Sequence, residues 1–260
     1  MIPIGDDLPT IRRPVMTWLI LAVMFGVWIV VQGAGANEFV LVKSVCNLGM
    51  VPGEITHLAR LGTAVPIAPG VACVVDRDSI NVVTPLLSMF LHGGWGHILG
   101  NALFFWVFGN NVEDIMGGGR FLVFYLICGL VAAAAQIAVD PASPIPTVGA
   151  SGAISGVLGA YLMLFPRARI RMLFFVVVLP IRAWLVLIYW FLVQVVSGLP
   201  QLMQVRPEVA GGGGGVAVWA HVGGFVAGLA LIRLFARPEL VAEHRTAEQA
   251  RQSSLRSRWI

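Results

Sequence analysis

The chain has 260 residues, of which 58% are hydrophobic and 12% charged. Soluble domains carry about a quarter charged residues, so a soluble globular domain is excluded and the lipid bilayer is the expected solvent. The net charge of +4 does not point to nucleic acid, because no basic patch with interleaved aromatics stands outside the flanks of the apolar segments.

Six apolar segments approach the roughly 20 helical residues that cross a hydrocarbon core of about 30 Å. Residues 1–13 form a short N-terminal segment, and the first span is read over Pro14–Gln32. Arg12, Arg13 and the Ala34-Gly35-Ala36 stretch imitate a cleavable secretory signal. The apolar run Val15–Val31 is longer than a signal core of about 7–15 residues, so a retained span is the preferred reading. Asp6 and Asp7 argue against a mitochondrial transit peptide, which is poor in acids.

Gly33 to Val83 is the longest connection, broken by Pro52, Gly53, Pro66, Pro69 and Gly70. It predicts short helices or turns lying on the membrane face. Cys46 and Cys73 fall within it, where a disulfide could persist if the loop is exported.

The second span, Trp95–Met116, carries His97 and Asn101. Near its far end Glu113 and Asp114 are expected to face the surface or to bond a neighbouring loop. The third span, Phe121–Val139, holds Cys128 as a small packing residue, and the Asp140–Pro146 turn cluster ends it. The fourth span, Val148–Phe165, stops at Pro166 and is followed by Arg167, Arg169 and Arg171. Met172–Val178 is apolar but bounded by arginines, which predicts a surface-lying segment. The fifth span is read over Leu179–Ser197. The glycine run Gly211–Gly215 precedes the sixth, Val216–Phe235, and residues 238–260 form a polar tail.

An even number of spans puts both termini on one side. Of the 17 Lys and Arg residues, only Lys43, Arg60, Arg77 and Arg206 fall on the opposite side. That bias makes the terminal side cytoplasmic. The fold expected is an all-α membrane protein: a six-helix bundle over residues 14–237 with a long outer loop between spans one and two.

Strongly polar groups inside a span are expensive and normally face the bundle interior. His97, Asn101, Ser151 and His221 stand out, in His92-Gly-Gly-Trp-Gly-His97-Ile-Leu-Gly-Asn101, Gly149-Ala-Ser151-Gly152 and Ala220-His221-Val-Gly-Gly224-Phe-Val-Ala-Gly228. Each lies within about two turns of the outer end of its span, which at about 1.5 Å per residue places them at one shallow depth. Ser151 opens a helix, where free N–H groups and the positive dipole end could stabilise an oxyanion. A serine hydroxyl needs a base to take its proton, and His221 is the candidate. Gly152 and Gly156, with Gly224 and Gly228, have the small-xxx-small spacing that lets helix backbones meet.

Plainer readings compete. A lone membrane serine usually bonds back to its own helix or packs at an interface, a lone histidine is more often structural or on a proton path, and glycine stripes usually mean packing. A metal or haem site on His92, His97 and His221 is disfavoured, because CxxCH, HExxH and companion carboxylates are missing. No cofactor or metal is expected.

Taken together, these three motifs resemble the rhomboid family of intramembrane serine proteases, over about Pro14 to Arg237. The resemblance implies a Ser151–His221 dyad without an acidic third member. It implies an oxyanion hole from His97, Asn101 and the Ser151 N–H, with His92 organising the outer loop. Glu113 matches an acidic residue that the family uses in structural hydrogen bonding. Substrates would be membrane-anchored proteins cut in or beside a transmembrane helix. The fifth span and the glycine run would act as gate and cap, and a bacterial inner membrane is the expected location. Two positions depart from the family: Val83-Thr84 stands where many members have Trp-Arg, and Ser155 stands where many have a tyrosine stacked on the histidine. Another group must therefore orient His221. Two other classes fit the same features less well, a non-cutting relative that binds membrane clients and a transporter or channel whose path the polar residues line.

Overall fold

A computed structural model describes residues 2–203 and 217–257. The glycine run Gly211–Gly215, with Arg206 and Arg258, lies outside the described residues. In chain order the chain forms β1 (Ile2–Asp6), α1 (Val15–Val30), α2 (Glu38–Leu48), α3 (Pro52–Ile55), β2 (Ala64–Ala68), β3 (Val71–Val74), α4 (Thr84–Leu87) and α5 (Trp95–Met116). Then follow α6 (Gly118–Val139), α7 (Ser151–Leu164), β4 (Arg169–Phe174), β5 (Val177–Arg182), α8 (Ala183–Leu202), α9 (Val218–Phe235) and α10 (Pro238–Ser257).

Among the described residues three helices, α6, α8 and α9, are long and apolar enough to cross a membrane by themselves, while α1 and α7 are shorter apolar helices. α5 has the length but carries Asn101, Asn110, Asn111, Glu113 and Asp114. Its polar end is explained by what it holds. Glu113 accepts hydrogen bonds from Met16 N at 2.9 Å, Thr17 N at 2.8 Å and Thr17 Oγ1 at 2.7 Å. Those amides are the orphan donors of the first turn of α1. Asp114 takes Ile11 N and Arg12 N. Both carboxylates are buried, so the surface-facing placement expected for them is wrong; Asp114 bonds a neighbouring loop as the alternative had it, whereas Glu113 bonds the start of a helix. α5 turns into α6 through Gly117 alone, whose φ of 76° is left-handed backbone that favours glycine.

Strands are not expected from the apolar pattern, yet β1, β4 and β5 form an antiparallel sheet in that order on the terminal side of the bundle. The fifth span accordingly starts at Ala183 rather than Leu179. Leu179–Arg182 pairs instead with Arg169–Met172. Pro180 is compatible with this because β5 is an edge strand, where a missing N–H leaves no ladder bond unmade. The apolar Met172–Val178 stretch becomes the end of β4, a hairpin tip and the start of β5, with Phe175 and Val176 exposed. The polar tail is helical as α10 and rests on the bundle: the His244 ring lies 4.9 Å from Phe165 and Glu243 pairs with Arg12. Both terminal segments are thus on one side.

On the other side, the long loop contains α2, α3, the β2–β3 hairpin and α4. The Cys46–Cys73 disulfide joins α2 to β3. The loop grips the turn before α7, since Met50 and Thr147 exchange backbone hydrogen bonds at 2.9 and 2.8 Å and Gly149 N donates to Ser88 O at 2.8 Å. Gln32, buried at the end of α1, clasps the backbone of His92 in both directions at 2.8 Å.

Asp6 plugs the inner end of α7, accepting from Tyr161 Oη at 2.6 Å and Asn111 Nδ2 at 2.8 Å. Burial outweighs these bonds and raises its carboxyl from the ordinary 3.8 to about 6. A carboxyl whose folded pKa is raised contributes stability that is complete below the unfolded pKa and lost as pH rises through the folded one. The wild type should lose about 2–3 kcal/mol relative to Asp6→Asn between about pH 4 and 7. Thermal unfolding in micelles across that range checks it; parallel pH curves for the two proteins would refute it.

Candidate functional site

The site begins with a contact between backbones. α7 and α9 cross so closely that a Cβ added to Gly224 would strike the Gly152 carbonyl, and one on Gly228 the Gly156 carbonyl. A Cβ on Gly159 would meet Phe225 O. Small residues at this spacing are what membrane helices need for such an approach. α6 packs on the same seam, with Ala132 beside Gly152 and Cys128 beside Gly156. Gln136 of α6, buried, accepts from Ala220 N at 3.3 Å.

This approach sets Ser151 Oγ 2.7 Å from His221 Nε2, although 70 residues separate them. Ser151 is the first residue of α7, and Ala150 before it supplies no side-chain cap. The first amides of the helix are therefore open beside the hydroxyl. α5 brings two more groups. Gly93 N donates to His97 Nδ1 at 3.3 Å, so a neutral His97 carries its proton on Nε2. That nitrogen faces Gly149, where an added Cβ would lie 2.7 Å from it and 3.5 Å from Ser151 Oγ. Gly149 has φ of 129° and keeps this space empty. Asn101 Nδ2 is buried with no hydrogen-bond partner among the described residues. Three kinds of donor thus surround one space next to Ser151.

His92 is fully buried, its ring edge-on to His97 with centroids 5.1 Å apart. Burial first, and the neighbouring His97 second, push it down to about 3, so it is neutral at physiological pH. Among the described residues, no cluster of three His, Cys, Asp or Glu could hold a metal ion. A cavity of about 630 Å³ opens on the loop side, lined by Ser151, His221, His97, Asn101 and Gly149 together with Met50 and Val148. A second, of about 240 Å³, lies behind the same side chains between α5, α7 and α8.

Residues 80–238 match the Rhomboid domain family model. The chain belongs to the rhomboid family. It is a multi-pass rhomboid helical bundle. Among relatives, Rhomboid protease GluP of Bacillus subtilis is 43% identical over 81 residues, 31% of this chain and 15% of GluP. Rhomboid protein 1, mitochondrial, of Saccharomyces cerevisiae is 33% identical over 101 residues, 37% of this chain and 29% of the relative. The presenilin-associated rhomboid-like protein, mitochondrial, of Homo sapiens is 32% identical over 91 residues, 34% of this chain and 24% of the relative. The matched stretches therefore cover less than a third of each of these three rhomboids.

Three amides were not singled out from the sequence. Gln194 of α8 lies 2.9 Å from His221 Nδ1, Gln136 holds the backbone of α9 next to His221, and Gln32 holds that of His92. The signal was present in the two within spans three and five: an uncharged amide in an apolar run is costly unless it bonds inward.

A side chain at Gly224 must push α9 away from α7. Gly224→Ala should cost about 1–3 kcal/mol, as overpacking does. Gly26→Ala, at a position with no atom within 4 Å of the added Cβ, should cost nothing. Thermal midpoints of the two variants in micelles compare them; equal midpoints would show that the seam tolerates a methyl group.

Proposed function

We propose that this rhomboid is an intramembrane serine endopeptidase, with Ser151 as nucleophile and His221 as general base. The observation that carries the reading is the Ser151 Oγ–His221 Nε2 hydrogen bond of 2.7 Å at the edge of a donor-lined cavity. The catalytic unit comprises residues 14–237, flanked by an N-terminal segment, 1–13, and a tail, 238–260. Its partners are membrane proteins with a transmembrane helix, cut in or beside that helix, and the surrounding lipid.

In this mechanism His221 Nε2 accepts the Ser151 proton as Oγ attacks the scissile carbonyl carbon. The carbonyl oxygen becomes an oxyanion in the space beside Gly149, stabilised by His97 Nε2–H, Asn101 Nδ2–H and the Ser151 N–H. His221 then delivers its proton to the leaving amine, and water entering by the larger cavity hydrolyses the acyl-enzyme with His221 again as base. His92, Gly149, Gly152, Gly224 and Gly228 support the site by packing and backbone shape.

The terminal side is assigned to the cytoplasm and the Ser151 side to the exterior of a bacterial inner membrane. Arginine enrichment beside the terminal segments supports this, as does the disulfide in the loop on the Ser151 side, since disulfides persist in oxidising compartments.

Ser151→Ala should abolish cleavage of a reporter bearing a transmembrane helix, and also labelling by a fluorophosphonate, while leaving the thermal midpoint unchanged. Unchanged cleavage by this variant would sink the assignment, and a wild type that binds clients without labelling would favour a non-cutting relative. Asn101→Ala should lower kcat about 10²- to 10³-fold, the range for loss of one oxyanion donor, measured on the same reporter. A kcat within about threefold of wild type would remove Asn101 from the oxyanion hole.

A further inference from the structure

Ser155 sits one turn after Ser151, but its hydroxyl turns back on its own helix and donates to the Ser151 carbonyl at 2.6 Å. It offers His221 no support. The groups that do reach the imidazole come from α8. Gln194 Oε1 lies 2.9 Å from Nδ1, and Trp190, four residues earlier on the same face, places its ring 5.9 Å from the imidazole and 6.0 Å from Phe225.

The tautomer follows from the chemistry. A neutral imidazole has one donor and one acceptor nitrogen. If Nε2 is to accept the Ser151 proton, Nδ1 must carry its own, and a buried N–H without an acceptor is costly. Left alone, the ring could place its proton on Nε2, where it donates to Ser151 and cannot act as base. The amide oxygen of Gln194 favours the productive form. It also accepts from the imidazolium created during attack, when both ring nitrogens are donors. The other titratable side chain facing His221 is His97 from α5; α6 contributes Gln136, which is spent on Ala220 N, and no charged residue faces the ring among the described residues.

We propose that Gln194 is the positioning residue of this rhomboid: its side-chain carbonyl holds the Nδ1–H tautomer and the ring angle of His221, the part that a carboxylate plays in a serine triad, here without charge. The inference rests on the serine-protease reading above. It also ties the base to α8, a helix at the edge of the bundle of which only Ala183, Leu187 and Gly198 are buried.

The test uses the full chain in micelles as wild type, Gln194→Leu and Gln194→Glu, with Gln194→Met repeating the measurement should the leucine variant fail to fold. Nitrogen-15 NMR of the His221 ring should show the Nδ1–H tautomer in wild type and a mixture in Gln194→Leu. The rate of fluorophosphonate labelling at Ser151 and kcat on the reporter should both fall about ten- to hundredfold, the worth of one hydrogen bond to a group that becomes charged, with KM within about twofold. Gln194→Glu should restore the rate and move the acid limb of the pH profile upward, because a carboxylate favours the imidazolium. A labelled wild type with an unaltered leucine variant, or a glutamate variant no faster than the leucine one, overturns the positioning role alone. A wild type that is never labelled overturns the proteolytic reading and this role together.

Discussion

The arrangement depends on two helices touching through their backbones. α7 and α9 meet so tightly that a Cβ on Gly224 or Gly228 would strike the carbonyl of Gly152 or Gly156 opposite. In lipid there is no hydrophobic gain in pressing one apolar helix on another; association comes from close van der Waals contact, which glycine makes possible. The Ser151–His221 contact follows from that distance. Ser151 and His221 project from neighbouring ends of the same seam, and their 2.7 Å hydrogen bond is the geometric consequence of where the glycines lie.

The rest of the structure keeps the seam usable. α6 covers it on one side with Ala132 and Cys128. The long loop holds the Thr147–Gly149 turn, so α7 starts at a defined point with its first amides open. α5 stands across the cavity, presenting His97 and Asn101 at its outer end while Glu113 and Asp114 cap the N-terminal segment at its inner end. One helix thereby serves as a donor platform on one side and an anchor on the other, which explains its low hydropathy.

The terminal side shows a different solution to a membrane constraint. The α7–α8 connection is apolar at its tip and basic at its base, and backbone groups so near lipid need partners. Pairing β4 with β5, and adding β1 from the N-terminus, satisfies most of them. The same strand carries Asp6 to the end of α7, where Tyr161 and Asn111 receive it.

Helices, order and polar side chains were legible in the sequence because each is a local property. Runs of apolar residues of bilayer length mark spans, glycine spacing marks a contact stripe, and a histidine or serine in such a run is conspicuous by its cost. The boundary of the fifth span was misread because hydropathy cannot distinguish an apolar strand from the first turn of a helix, and the sheet around β4 joins segments more than 160 residues apart. That Gln194 must bond inward was legible from its cost in an apolar run; that its partner is His221 was not. Gln194 lies 27 residues away on another helix, and one amide in an apolar run carries no label naming its partner. By itself, then, the sequence determined that this is a membrane bundle with a serine and a histidine at one depth on glycine-striped helices. Only the tertiary structure decided that those stripes face each other and that the histidine's second nitrogen meets an amide from α8, because a distance of less than 3 Å between separate helices is set by how their side chains and backbones pack.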